Sequence, residues 1–246
     1  MRGISKNTVF ALFGILGLLL TSGALLGSTY VVQQSVLYPY RSMVEIQEDF
    51  ITSTTGSNSI GALGWTTIGG TTTAGTGIAS RPGILTRDTT AVISTVAQLF
   101  LGGTVNPFLA TENHSMIFAV RLNTNDANTT LRIGTTDLWN TNPPVNGIFF
   151  EKLDADTNWF CVSRAAGVQT RTDSGIAITT NFTTFAYSKN SSGIQFALNN
   201  ANVCGLITTN LPTVAIRSGS HIINAAAAAK TYDTDYYQLR LTGLAR

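Results

Sequence analysis

From His114 to Leu241 the chain falls into short runs in which β-branched and aromatic residues are interleaved with polar ones. That is the two-residue period of a strand, not the 3.6-residue period of a helix. The runs are "HSMIFAVRL" (114–122), "TTLRIGTTD" (129–137), "GIFFEKL" (147–153), "NWFCVSR" (158–164) and "VQTRT" (168–172). They continue with "NFTTFAYSK" (181–189), "GIQFALN" (193–199), "TVAIRSGSHIIN" (213–224) and "TYDTDYYQLRL" (231–241). Gly, Asn, Asp and Pro punctuate the gaps, as turn residues do. Only "NAAAAAK" (224–230) has helical propensity; it is short and flanked by strands, so it reads as a small-residue strand or loop. Many short strands and no long amphipathic helix predict an antiparallel sandwich or barrel. We place that domain at residues 49–246.

The stretch "GIFFEKLDADTNWFCVSR" (147–164) shows the pattern most sharply. Pairing its two halves around a loop at 154–157 sets Phe149 opposite Val162 and Glu151 opposite Phe160. Ile148, Phe150, Trp159 and Cys161 then share one face; Phe149, Leu153, Phe160 and Val162 share the other, with Glu151 among them. Two apolar faces describe a central hairpin covered on both sides. Asp154-x-Asp156-x-Asn158 opens like a calcium loop, but the sixth and twelfth positions hold Trp159 and Ala165, where an EF-hand needs Gly and an acid. A structural hairpin is the main reading; a weak surface calcium site on Asp154 and Asp156 is the minor one, and no other cofactor is expected.

The opposite pattern occupies the start. Thr8 to Gly27 has no charged residue over twenty positions, which as a helix spans about 30 Å. Arg2 and Lys6 precede it, and Glu45, Glu48 and Asp49 follow. A cleaved signal peptide, a retained signal anchor and an apolar helix buried among other chains all fit. We expect a helix packed against lipid or protein, with Gly14, Gly17, Gly23 and Gly27 offering close-packing positions. Residues 1–48 are read as this anchor plus a connector interrupted by Pro39.

Charge narrows the class. Charged residues are only 11% of the chain and the formal net charge is +2. The cations are scattered, with no basic stripe interleaved with aromatics, so nucleic acid is not an expected partner. Thr, Asn, Ser and Gly carry the polarity, which suits rigid extracellular or virion β-structure. Cys161 and Cys204, the only cysteines, read first as buried free thiols, with one bridge between them as the alternative in an oxidising compartment.

The candidate chemistry is sparse. Glu151 is the only acid in its strand, whereas glycoside hydrolysis needs two carboxylates across one bond. His114 and His221 have no second histidine or cysteine nearby in sequence and read as polar strand residues. "NTNDANTT" (123–130) offers oxygen ligands to calcium but reads equally as a solvated turn. "GGTTTAGTG" (69–77) lacks the Lys-Ser/Thr of a phosphate loop and reads as flexible. Trp65, Trp139 and Trp159 could each stack on a sugar, and Trp139, in "DLWNTNPP", is the best candidate; packing is still the first reading for each.

The run "NPPVNGIFFEKLDADTNWFCVSRAAGVQTRTDSGIAIT" (142–179) resembles a concanavalin A-like, laminin G-like jelly-roll domain found in bacteriophage and prophage virion proteins. So do "EDFITSTTGSNSIGALGW" (48–65), "RPGILTRDTT" (81–90) and "NAAAAAKTYDTDYYQLRL" (224–241). The resemblance implies a jelly-roll β-sandwich and a structural, non-enzymatic virion protein, a capsid decoration, head fibre or tail component. Its implied partners are copies of itself, a trimer among the arrangements, and other virion proteins; host-surface glycan and lipid along residues 8–27 are further candidates. The alternative is a membrane-anchored or secreted carbohydrate-binding module acting outside the cytoplasm through Trp139.

Overall fold

Strand pairing turns the two-residue period into two sheets. The computed structural model describes residues 42–51, 58–75, 81, 83–103, 105–123, 127–139 and 143–244. The expectations for Thr8–Gly27 and its glycines lie outside these residues. The first strands are Met43–Glu48 (β1), Asn58–Ile60 (β2), Trp65–Ile68 (β3), Thr71–Gly75 (β4), Ile84–Asp88 (β5) and Val96–Phe100 (β6). Phe108–Leu109 (β7), Asn113–Leu122 (β8), Thr129–Thr136 (β9), Gly147–Lys152 (β10), Asn158–Ala165 (β11) and Val168–Ala177 (β12) follow. Thr183–Asn190 (β13), Gly193–Leu198 (β14), Ala201–Ile207 (β15), Ala215–Asn224 (β16) and Thr231–Thr242 (β17) complete the set. No described residue lies in a helix.

One sheet has eight strands in the order β15-β14-β13-β8-β17-β5-β4, with β1 also on β17. The other has nine, β12-β11-β10-β9-β16-β6-β3-β2, with β7 on β16. The 147–164 hairpin takes the predicted register, Phe149 against Val162 and Glu151 against Phe160. Ile148, Phe150, Trp159 and Cys161 face the core between the sheets. There Trp159 meets Phe185 edge-on at 4.7 Å, and Trp65 meets Tyr237 edge-on at the same distance. Trp65 and Trp159 are therefore packing residues, as read from sequence.

Three regions differ from expectation. Met43–Glu48, read as connector, pairs along β17 from Thr242 to Tyr237, so the sandwich begins at Met43 instead of residue 49. Thr71–Gly75, read as flexible loop, is a strand on β5. Its anchor is Arg87, which is buried and donates to the carbonyls of Thr71 (3.0 Å) and Gly69 (2.6 Å) and to the Thr72 hydroxyl. A cation that satisfies several carbonyls in one place holds a Gly/Thr segment that propensity alone would release.

The third difference is a correction. Cys161 and Cys204 are not free thiols but a disulfide that joins β11 of one sheet to the edge strand β15 of the other. A bulge in β15 at Cys204 and Gly205, both at positive φ, interrupts the ladder with β14 at this point. Closing a loop over 43 positions removes enough freedom from the unfolded chain to stabilise the sandwich by about 3 to 5 kcal/mol.

Candidate functional site

The outer face of the nine-stranded sheet carries a row of polar side chains in lateral register. Gln98 pairs with His221, His221 with Arg132, Arg132 with Glu151, Glu151 with Phe160, and Phe160 with Asp173. Directly opposed residues on neighbouring strands project to the same side, so alternation alone gathers them. Phe149 and Val162 flank the row on the hairpin's outer face, and both are buried. An interior-like environment thus surrounds charged groups.

At the centre both oxygens of Glu151 are engaged. Arg132 Nε donates to Oε1 and Arg171 Nε to Oε2, each at 2.7 Å. Arg171 also binds the Asp156 carboxylate and lies 3.5 Å over the Phe160 ring. On its other side Arg132 donates from Nη1 to His221 Nε2 at 2.8 Å. The imidazole therefore carries its proton on Nδ1 and donates it to the Trp139 carbonyl at 3.1 Å. Burial, reinforced by the Arg132 charge, lowers the His221 pKa to about 3.

Trp139 does not present a face to solvent. It is fully buried, meets His221 edge-on at 5.5 Å and donates from Nε1 to the Arg217 carbonyl at 3.3 Å. Gly219 makes room for it: a Cβ there would stand 2.7 Å from the indole nitrogen. Asp137 secures the approach to Trp139 by accepting from the Leu138 and Asn146 amides and from the Asn146 side chain at 2.7 Å. Packing, the first reading for each tryptophan, describes Trp139, and its candidate role as an exposed sugar-stacking face is corrected. A loop position suggested exposure, but the loop folds back over the sheet.

Asp154 and Asp156 sit at the hairpin tip and serve different partners. Asp154 accepts from the Thr130 hydroxyl at 3.1 Å; Asp156 accepts from the Leu153 amide at 2.7 Å and from Arg171. Both of the Asp156 contacts fall on Oδ2, so a guanidinium already sits beside this carboxylate as its counter-charge. Among the described residues no group of three or more His, Cys, Asp or Glu is placed to hold a metal ion. The minor calcium reading finds no support in this arrangement.

Chemically, the cluster is a closed ion-pair network. A glycosidase acid must keep its proton and face a second carboxylate across a gap for the sugar. Glu151 instead spends both oxygens on guanidinium groups inside the protein. The isolation of Glu151 among apolar neighbours was visible in the sequence; its two arginines, from β9 and β12, were not.

His114 tells a similar story in the other sheet. It lies against Tyr187, with Nε2 3.1 Å from the phenol oxygen and Nδ1 donating to the Glu112 carbonyl at 2.8 Å. Tyr187 continues to the Thr135 hydroxyl at 2.7 Å, so one polar chain crosses the core. Burial lowers the His114 pKa to about 4. Both histidines are thus held neutral well below the unfolded value near 6.5. Between pH 6.5 and about 4 the unfolded chain binds protons that the folded chain refuses, so stability falls as pH drops through that window. The urea midpoint is expected to be lower at pH 4.5 than at pH 7, with a smaller difference in His114→Gln. An unchanged difference in that variant would contradict the assignment.

No protein-family model and no curated protein matches the chain. Solved structures do. A protein of unknown function from Shewanella oneidensis superposes with a TM-score of 0.59 at 10% identity, covering 99% of this chain and 97% of that one. The Emp47p carbohydrate recognition domain gives 0.54 at 12%, over 80% and 95% of the two chains. A β-1,3-glucanase from Mycobacterium marinum gives 0.54 at 8%, over 82% and 99%. At these identities the likeness establishes the fold alone, a jelly-roll β-sandwich of two antiparallel sheets, and such a fold serves binding and catalysis alike.

Proposed function

We propose that this chain is a structural, non-enzymatic bacteriophage virion protein whose N-terminal segment anchors a displayed jelly-roll domain. The observation that carries the reading is where the few charges go. Glu48, Arg87, Arg132, Glu151, Lys152, Lys189, Arg217, Lys230 and Asp233 are all buried. In a chain with only 28 Lys, Arg, Asp and Glu residues, that withdraws much of the charge from the surface. What remains outside is rich in Thr, Asn and Ser. Such a surface packs against identical neighbours with little like-charge repulsion and little cost of stripping water from ions. The closed Glu151 network fits the same reading, since both Glu151 oxygens are bonded to guanidinium groups within the protein. The disulfide suits a domain that works outside a reducing cytoplasm.

Purified phage particles banded on a density gradient are expected to contain the chain, detected as disulfide-linked peptides spanning Cys161 and Cys204. Recovery only from host membranes would overturn the reading.

A carbohydrate-binding role is the second reading, and it moves to the other sheet. A polar depression of about 240 Å³ opens there, with Asn113, Ser115, Ser188, Asn190, Arg240 and Thr242 among its walls. Fold relatives include a domain that by its name recognises carbohydrate. A glycan-array signal abolished by Arg240→Ala would favour this reading over the first.

A further inference from the structure

One flank of the sandwich is open and apolar. Val44, Ile46, Leu239 and Leu241 form one wall of a groove of about 450 Å³, and Leu63, Leu101 and Phe108 help form the other. Among the described residues no charged side chain lines it, and Thr66 is the one polar side chain. Ile46, Leu63, Leu101 and Leu241 are half-buried edge members of the hydrophobic core. Among the described residues nothing covers these core positions along the groove.

The chain enters the described structure beside this groove. The Ser42 carbonyl accepts from the Leu244 amide at 3.1 Å, and the next residue begins β1, which supplies Val44 and Ile46. Among the described residues β1 pairs only with β17, so its other edge has no strand against it. Upstream of Arg41, residues 29–40 read "TYVVQQSVLYPY", twelve positions without a charge and with seven Tyr, Val or Leu residues. A glycan would need converging polar groups in the groove, and these walls do not provide them. An uncharged apolar segment needs none.

We propose that residues 29–40 of this same chain occupy the groove, with Val36 and Leu37 seated against Leu63, Leu101 and Leu241. Six residues lie between Leu37 and Val44, so the seven steps give an extended reach of up to about 25 Å. The segment covers the open core and fixes where the anchor leaves the sandwich. This docking requires neither the virion nor the carbohydrate reading, and its test is independent of both.

The test uses the full-length chain in detergent, with Leu37→Cys and Leu63→Cys combined. Mild oxidation is expected to give a 37–63 link within one chain, located by peptide mapping, beside the native 161–204 link. A disulfide-linked dimer would instead assign the groove to a second copy and overturn the proposal. Absence of any 37–63 link in protein that retains its 161–204 link would also overturn it. Hydrogen exchange supplies a second readout in the full-length Val36→Asp/Leu37→Asp variant. Amides of 101–108 and 239–241 are expected to exchange at least tenfold faster, with residues 147–164 unchanged; equal rates throughout would refute the docking.

Discussion

Glu151→Ala is expected to lower the free energy of unfolding by about 3 to 5 kcal/mol, the usual cost of breaking a buried ion pair from one side. Arg132 is the reason. Its side chain is 3% exposed, its Nε donates to Glu151, and its Nη1 donates to a neutral His221. Removing the carboxylate takes away the anion bonded to a buried cation, and the neutral imidazole supplies no charge in its place. Arg171, at 19% exposure and with Asp156 as a second partner, loses less. Glu151→Gln should cost less than Glu151→Ala, because its amide oxygen still accepts one of the two bonds. Urea denaturation at pH 7 measures both variants, and a Glu151→Ala loss below about 1 kcal/mol would contradict this account of the network.

The second large effect belongs to Phe150. The ring is fully buried on β10 and meets Phe185 and Phe196 edge-on at 5.2 and 5.0 Å. Truncation to Ala removes the aromatic contacts and leaves a cavity between two sheets that cannot collapse easily, for about 3 to 5 kcal/mol. Asp154→Ala is the control on the same hairpin. It removes a half-buried hydrogen bond to Thr130 at the turn and should cost under about 1 kcal/mol. Equal losses for the two would mean that the turn, and not the aromatic core, organises the hairpin.

The hairpin was legible in the sequence because its information is local. A period of two assigns each side chain to a face, a short acidic turn limits the register, and a one-residue slip would exchange the two faces. The same logic recovered most strands from β8 onward. It named none of β1 to β7, and β1 and β4 show why. Met43–Glu48 carries acids that suggest solvent, and Gly/Thr-rich Thr71–Gly75 has no apolar stripe. Their partners are β17, nearly two hundred residues away, and Arg87 on β5. Neither partner is written in the strand itself.

So the sequence by itself determined that the described chain is β-structure, which faces the central hairpin shows, and that charge is scarce. Tertiary structure alone decided what the remaining polar groups do. It brought Arg132 and Arg171 to Glu151, laid Trp139 over Gly219 instead of exposing it, and placed Cys204 against Cys161. Side-chain alternation is set within a strand by backbone geometry. Which strands become neighbours, and which sheet covers which, depends on the collapse of the whole core, so contacts between distant residues cannot be read from the spacing within either one.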